Sequence, residues 1–245
     1  MSFLHSLLLG LVQALTEFFP ISSSAHLRLV KHFLQIQDET PLLDLSCHAG
    51  TLLALLWFLR KDLKELFVRP MQFFIALTPL VPFYFLLKPL REWASQNELL
   101  GICLMLTGCI LLAGKVLRTK RTQKNLKDAF FIGCMQSAAL IPGISRSAST
   151  ISCARVLGWD VKESLRFSFL LSIPTILGGS ALELLKAGSH LSSISYPPLV
   201  IGFVTAFLGG MMVIKKAFAY LEKGNFAPFA WYCLALGAAV TLYFH

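Results

Sequence analysis

GLVQALTEFFPISSSA, residues 10–25, and GCMQSAALIPGISRSA, residues 133–148, decide how this chain is organised. Set one on the other at an offset of 123, and Gly10, Gln13, Ile21, Ser22, Ser24 and Ala25 meet identical residues at Gly133, Gln136, Ile144, Ser145, Ser147 and Ala148. Each stretch carries proline and a cluster of hydroxyls inside an apolar run. Proline removes a backbone donor and clashes with the preceding turn, so a helix entering either stretch must break there.

The surroundings of the two breaks are apolar enough to be membrane. Of the 245 residues 56% are hydrophobic and 14% charged, and the mean hydropathy is +0.67, which excludes an ordinary soluble globule. A bilayer core of about 30 Å takes roughly 20 largely apolar residues per helical span. Six segments answer to that length: about 42–59, 71–87, 99–117, 166–186, 197–214 and 227–244. The broken regions, about 3–35 and 129–157, read as re-entrant hairpins. Broken backbone at membrane depth is tolerated only where it is buried in protein or lines a polar cavity, so both breaks are candidate sites. No cleavable signal pattern is expected, since the N-terminus lacks a basic region and its apolar stretch contains Glu17.

The offset of 123 also carries the spans beginning at 42, 71 and 99 close to those beginning at 166, 197 and 227. Each half is then one broken hairpin followed by three spans. Three is odd, so the second half is expected to be inverted relative to the first. The fold expected is an all-α polytopic membrane protein of two inverted repeats, about 1–120 and 124–245, forming a single membrane domain over residues 1–245.

The net charge of +9 is segregated. Segments 60–70, 115–127, 155–166 and 215–224 hold sixteen Lys and Arg, against five in 28–41, 88–98 and 186–197. This is the pattern of cytoplasmic and opposite-side loops, not of a nucleic-acid surface, and no nucleic acid is expected as a partner. The loop at 115–127 reads as a topology determinant near anionic lipid. The six cysteines, Cys47, Cys103, Cys109, Cys134, Cys153 and Cys233, contain no CxxC pair and read as small buried hydrophobes.

At the first break, Gln13 and Glu17 are four apart and share one helical face. A carboxylate at membrane depth costs about 2.5 to 3.5 kcal/mol on insertion scales, so it needs a partner or a task. Beyond Pro20 a new helix can start at Ser22, Ser23 and Ser24, one of them capping it, with His26 three residues after Ser23. At the second break the helix restarts after Pro142-Gly143 through Ser145, Arg146 and Ser147, with Thr150 on the face of Arg146. Free N–H groups at a helix start, hydroxyls and a guanidinium fork together make a phosphate receptor. Glu17, Ser23 and His26 add a base and a nucleophile, which phosphoryl transfer requires along with positioning. A magnesium-like ion held by Glu17 and the substrate's own phosphates suits a donor set this small.

At these residues the chain closely resembles the undecaprenyl-diphosphate phosphatase family, the membrane enzymes associated with bacitracin resistance. The family's acid-or-amide, three residues, glutamate motif is Gln13-Ala14-Leu15-Thr16-Glu17, and its long proline-glycine motif is complete as Pro142-Gly143-Ile144-Ser145-Arg146-Ser147-Ala148-Ser149-Thr150. LDLSCHAGTLLAL from Leu43 and RFSFLLSIPTILGG from Arg166 extend the likeness over nearly the whole chain. The resemblance implies removal of the terminal phosphate of a C55 isoprenyl diphosphate, recycling the lipid carrier of peptidoglycan and other cell-wall polymers. It implies a divalent cation (Mg2+ or Ca2+), a bacterial cytoplasmic (inner) membrane location, and a site open to the periplasmic side. Carried over residue by residue, Glu17, His26, Ser23 and Arg146 are catalytic, Ser22, Ser145, Arg146, Ser147 and Thr150 bind phosphate, and Glu17 and Gln13 face the metal. The nucleophile stays open between Ser23, His26 and water. Two departures stand out: Ser24-Ala25 precedes His26 where the family often has threonine-glycine, and Gln13 takes the amide option.

The rival reading is a flippase or transporter for a phosphorylated isoprenyl lipid or anion, because many secondary transporters use inverted repeats with broken helices. An enzyme that also returns its product across the membrane is a third. Homodimerisation through exposed helix faces is left open. Asp44 and His48, four apart at the head of a span, read as structural or gateway residues, and Gly50, Gly108, Gly114, Gly178, Gly179, Gly209 and Gly210 as close-packing positions.

Overall fold

The computed structural model describes residues 2–36, 41–117, 125–187 and 196–244. Residues 118–124, the middle of the expected topology loop, and most of the 186–197 loop lie outside the described residues. Among those described the chain is helical and contains no strand. The first hairpin is α1 (Phe3–Thr16) and α2 (Ser23–Phe33). It is followed by α3 (Pro41–Phe58), four short helices α4 (Lys64–Val68), α5 (Pro70–Leu77), α6 (Leu80–Leu86) and α7 (Lys88–Trp93), and α8 (Asn97–Val116). The second hairpin is α9 (Leu126–Ala138) and α10 (Arg146–Val156), followed by α11 (Val161–Ala187), α12 (Tyr196–Leu221) and α13 (Ala227–Phe244).

Five helices, α3, α8, α11, α12 and α13, are long and apolar enough to cross a membrane. The sixth expected span, 71–87, is instead two helices that meet at Thr78-Pro79. Hydropathy alone cannot register this interruption. Pro79 and Pro82 remove two backbone donors in one turn, and Thr78 Oγ1 turns back to donate to the Ile75 carbonyl at 2.7 Å. The hairpin helices recur at the expected spacing, since α9 and α10 each begin 123 residues after α1 and α2.

The two breaks are built differently. α1 ends at Thr16, and Ser22, with φ 68 and ψ 87, turns the chain through the left-handed region into α2. Ser22 makes no side-chain cap, so the N–H groups of Ser23, Ser24 and Ala25 have neither an intrahelical partner nor a capping hydroxyl. In the second break Gly143 takes the left-handed turn at φ 97, where a β-carbon would fall 2.6 Å from Cys103 Cβ. Ser145 then caps α10 by accepting from the Ala148 N–H at 3.2 Å. Thr107 of α8 pins this break, accepting from the Ser145 N–H at 3.0 Å while its Oγ1 lies 3.2 Å from the Gly143 carbonyl.

Long helices clamp the hairpins in place. α12 packs against α1 and α3, α8 against α10 and α13, and α9 against α5 and α10. The chain end carrying the basic loops is tied together by Arg166–Asp62 and Lys162–Glu222 at 3.8 Å each. At the other end, Lys31 pairs with Asp44 at 2.6 Å and Arg28 reaches the Ser95 carbonyl and Asn97 Oδ1.

Two expectations about small residues need correction. Cys109 is exposed and Cys134 and Cys153 are half-buried, so only Cys47, Cys103 and Cys233 are buried hydrophobes. Gly50 and Gly108 do meet a partner helix, but Gly178 and Gly179 face open space with nothing within 4 Å. They lie on the outward face of α11, which composition cannot reveal. A β-carbon on Gly50 would collide with the Phe203 carbonyl. Gly50→Ala therefore lowers the thermal midpoint in detergent, overpacking costing about 1 to 3 kcal/mol. Gly178→Ala raises it, because an open helical glycine gives up about 0.5 to 1 kcal/mol to alanine.

Candidate active site

Both carboxylate oxygens of Glu17 are engaged, and by residues from both hairpins. Oε1 accepts from Arg146 Nη2 at 2.8 Å, while Oε2 accepts from Ser23 Oγ at 2.6 Å and from Gln13 Nε2 at 3.1 Å. The second Gln13 N–H points to Thr51 Oγ1 at 3.3 Å. The ion pair is largely removed from solvent, with side-chain exposures of 9% for Glu17 and 18% for Arg146. Removing either partner would leave a charge stranded in apolar surroundings.

The pair borders a cavity of about 210 Å³ lined by Glu17, Ser22, Ser23, Ser24, Ser145, Arg146 and Ser147 with apolar walls that include Phe19, Leu140 and Ile176. The uncapped start of α2 and the start of α10 both open on it, so backbone N–H groups, hydroxyls and a guanidinium converge from two directions. That combination is a receptor for a tetrahedral anion. The Ser145 and Ser147 hydroxyls lie 3.2 Å apart, and those of Ser22 and Ser24 3.3 Å apart.

Two of the expected residues are placed elsewhere. His26 is not part of the cavity lining: Nδ1 is 2.8 Å from the Ser22 carbonyl and Nε2 is 2.7 Å from Tyr232 Oη, with the two rings stacked. A carbonyl can only accept, so Nδ1 carries the proton and Nε2 accepts from the tyrosine. The ring thereby braces the left-handed turn at Ser22. Thr150 lies behind Arg146, its Oγ1 donating to the Arg146 carbonyl at 3.0 Å and standing 2.6 Å from Ser168 Oγ. It fixes the first turn of α10 from the far side.

Other residues enter unannounced. Gln136 and Thr175 line the cavity, 3.3 Å apart, and the Gln136 amide nitrogen is buried with no partner. Gln136 was visible in the sequence as the counterpart of Gln13 at the offset of 123. His48 also lines the cavity, its Nε2 4.0 Å from Glu17 Oε2. Its spacing from Asp44 marked it, but its nearness to Glu17 is purely tertiary.

A divalent cation can be tested against this donor set. Among the described residues no group of three His, Cys, Asp or Glu converges, and Glu17 is the one carboxylate on the cavity wall. Gln13 Oε1 is a buried oxygen without a partner beside it. One carboxylate and one amide oxygen cannot cage an ion, but they fit one that takes its remaining ligands from phosphate and water.

A polytopic helical membrane protein whose broken hairpins converge on an ion-paired carboxylate, free hydroxyls and a cationic anion receptor belongs to the class that handles phosphorylated molecules within the bilayer. The sequence model of the bacitracin resistance protein BacA family matches residues 6–239, and the chain belongs to that family. It is similar to proteins named undecaprenyl-diphosphatase from three bacteria. The one from Protochlamydia amoebophila is 38% identical over 255 residues, covering 100% of this chain and 99% of the relative. Those from Carboxydothermus hydrogenoformans and Persephonella marina are 34% and 32% identical, each over 99% of this chain and over 97% and 99% of the relative.

If the ion pair joins the hairpins, Glu17→Ala and Arg146→Ala are non-additive. Thermal unfolding of the two single variants and the double variant gives a coupling of about 1 to 3 kcal/mol, the double variant being less damaged than the sum of the singles.

Proposed function

We propose that this protein hydrolyses undecaprenyl diphosphate to undecaprenyl phosphate and inorganic phosphate, recycling the lipid carrier of peptidoglycan and other cell-wall polymers and conferring bacitracin resistance. Family membership and the naming of its full-length relatives support the substrate. The observation that carries the chemistry is the shared carboxylate: one oxygen of Glu17 holds Arg146 and the other holds the Ser23 hydroxyl at 2.6 Å. A carrier would need the cation and the helix starts, but has no use for a hydroxyl poised on a base.

The substrate's terminal phosphate draws Arg146 from Glu17, replacing one anionic partner by another. Ser22, Ser145 and Ser147 and the free N–H groups of Ser23, Ser24 and Ala25 receive its remaining oxygens. The nucleophile, Ser23 Oγ or a water taking its place, forms its bond to the terminal phosphorus. The bond from that phosphorus to the bridging oxygen breaks, its electron pair leaving on undecaprenyl phosphate, and the nucleophile's proton passes to Glu17. Water then completes hydrolysis where serine has attacked. Arg146 and the N–H groups stabilise the charge that builds on the equatorial oxygens. His26 acts on this site by holding the turn at Ser22, and Thr150 by holding that of Arg146. Glu17 and Gln13 would hold a divalent cation, Mg2+ or Ca2+, which supplies charge neutralisation at the phosphates.

The protein is placed in the bacterial cytoplasmic membrane with the Lys- and Arg-rich loops inside, the second half inverted relative to the first, and the cavity open to the periplasmic side. The sixteen-to-five bias of basic residues supports this orientation.

Phosphate release from undecaprenyl diphosphate by the purified protein in detergent tests the reading. Glu17→Gln and Arg146→Ala each lower kcat by about 100-fold or more, the scale on which a base or a charge-stabilising group acts. Chelator abolishes release and Mg2+ or Ca2+ restores it. Full turnover in both variants would overturn the assignment.

A further inference from the structure

The cavity holds a head group and little more. Its volume is about 210 Å³, below the roughly 300 to 1,000 Å³ of a pocket that encloses a drug-sized ligand. A long isoprenyl chain must lie outside it, and it cannot leave across the serines and the ion pair without stripping polar groups of their partners. Its way out is over the apolar wall, to which Phe19, Leu80, Leu140 and Ile176 belong. On α11 that wall opens. Leu170, Leu171 and Ile173 are buried, whereas beyond Pro174 the side chains of Leu177, Leu182, Leu184 and Leu185 are exposed. Thr175 and Ile176, between the two stretches, line the cavity. Gly178 and Gly179 follow Thr175 by three and four residues and so share its face, about 5.4 Å further along the helix. A β-carbon there would meet nothing within 4 Å. One face of α11 is thus cavity wall at Thr175 and open ground a turn later.

The equivalent ground in the first half is closed. At the offset of 123, Gly178 and Gly179 correspond to Leu55 and Leu56 of α3, where Leu55 is buried, Leu56 packs against the same core and α12 lies along the helix. The stretch that corresponds to α12 is 73–98, which is divided among α5, α6 and α7. A second observation sets the head group at the inner end of the open face. Gln136 is 1% exposed, its amide lies 3.3 Å from Thr175 Oγ1, and its amide nitrogen has no partner. A buried donor left unpaired costs free energy that a ligand oxygen recovers. The inner phosphate of a diphosphate stands between its terminal phosphate and its chain, so a donor beside Thr175 suits it. Resting on the phosphatase reading above, we propose that the isoprenyl chain of the substrate leaves the cavity past Ile176 and lies on the Gly178-Gly179 face of α11. The glycines leave room for the branched chain, and the leucines around them give it apolar contact. This contact is the same before and during bond cleavage, so it tightens substrate binding without changing the chemical step.

The test uses the full-length protein in detergent with undecaprenyl diphosphate and with a C5 isoprenyl diphosphate, whose chain ends before the glycines. Gly179→Trp fills the path from a position with no neighbour to collide with. It raises KM for the C55 substrate about ten-fold with kcat within about two-fold, the pattern of lost ground-state binding, and leaves the C5 constants within about two-fold. Leu208→Trp, on an exposed face of α12, changes neither substrate's constants. Equal effects of Gly179→Trp on the two substrates, or an effect of Leu208→Trp as large as that of Gly179→Trp, overturn the proposal. A second measurement needs no turnover. A benzophenone side chain placed at position 179 captures undecaprenyl diphosphate on illumination, and excess inorganic diphosphate, which fills the head-group site, suppresses the capture; at position 208 there is no such competition. Capture at 179 that inorganic diphosphate leaves unchanged reports lipid partitioning alone and overturns the proposal. A wild-type protein that releases no phosphate but shows competed capture at 179 would sink the phosphatase reading and leave the chain site standing. Normal release with uncompeted capture does the reverse.

Discussion

The bond between Glu17 and Arg146, 2.8 Å long, is the constraint on which the structure depends. Neither charge is affordable in an apolar hairpin by itself, because an unpaired ion inside a bilayer protein loses its hydration and gains nothing in return. The two hairpins must therefore meet, and the long helices are arranged so that they do. α12 holds α1 against α3, and α8 holds α10 from the other side through Thr107. Glycines at the helix crossings allow this approach, as where Gly50 lies under the Phe203 carbonyl. The same pair keeps the anion receptor assembled before any substrate arrives.

Hydroxyl groups divide into two populations, and the division separates structure from site. Thr16 donates to Val12, Ser137 to Gly133, Ser164 to Asp160 and Thr241 to Gly237, each folding its polar end back onto the preceding turn. Such hydroxyls are satisfied within their own helix and offer nothing outward. Ser23 instead spends its hydrogen on Glu17, and Ser22, Ser145 and Ser147 lie at the cavity wall in contact only with other hydroxyls or a cap. Thr150 also donates back to the Arg146 carbonyl and meets Ser168 of α11, although its spacing in the sequence put it on the face of Arg146. A helical position specifies the face on which a hydroxyl starts, but the competing carbonyl four residues back decides where it ends.

Five spans were legible in the sequence from their apolar length, and both breaks from proline standing beside hydroxyl clusters that can start a new helix, although proline alone is no sure signal, since α11 runs unbroken through Pro174. The interruption at Thr78-Pro79 has the same cause, yet the apolar residues around it concealed it from hydropathy. The cluster of Glu17, Ser23 and Arg146 was legible because charges at membrane depth must find each other. The placement of His26 was not, since it follows from the left-handed turn at Ser22, which aims the Ser22 carbonyl at the ring and leaves Tyr232, more than 200 residues on, to take the other nitrogen. No local pattern encodes that contact. Nor does any local pattern reveal that α3 brings His48 up to Glu17, or that Gly178 and Gly179 face outward.

The offset of 123 finally shows how two similar halves make an unsymmetrical site. Glu17 corresponds to Leu140, and Ser23 to Arg146. A symmetrical pair of carboxylates would repel each other and the substrate, while a symmetrical pair of arginines would bind the anion and leave nothing to accept a proton. One half has kept the base and hydroxyl and the other the cation, on the same broken-hairpin scaffold. The shared scaffold brings two helix starts to one cavity; the differences at 17 and 146 turn an anion receptor into a site where a bond can be broken. Gln13 and Gln136 mark the same division, for the first spends its amide nitrogen on the carboxylate while the second, opposite Leu140, has no such acceptor.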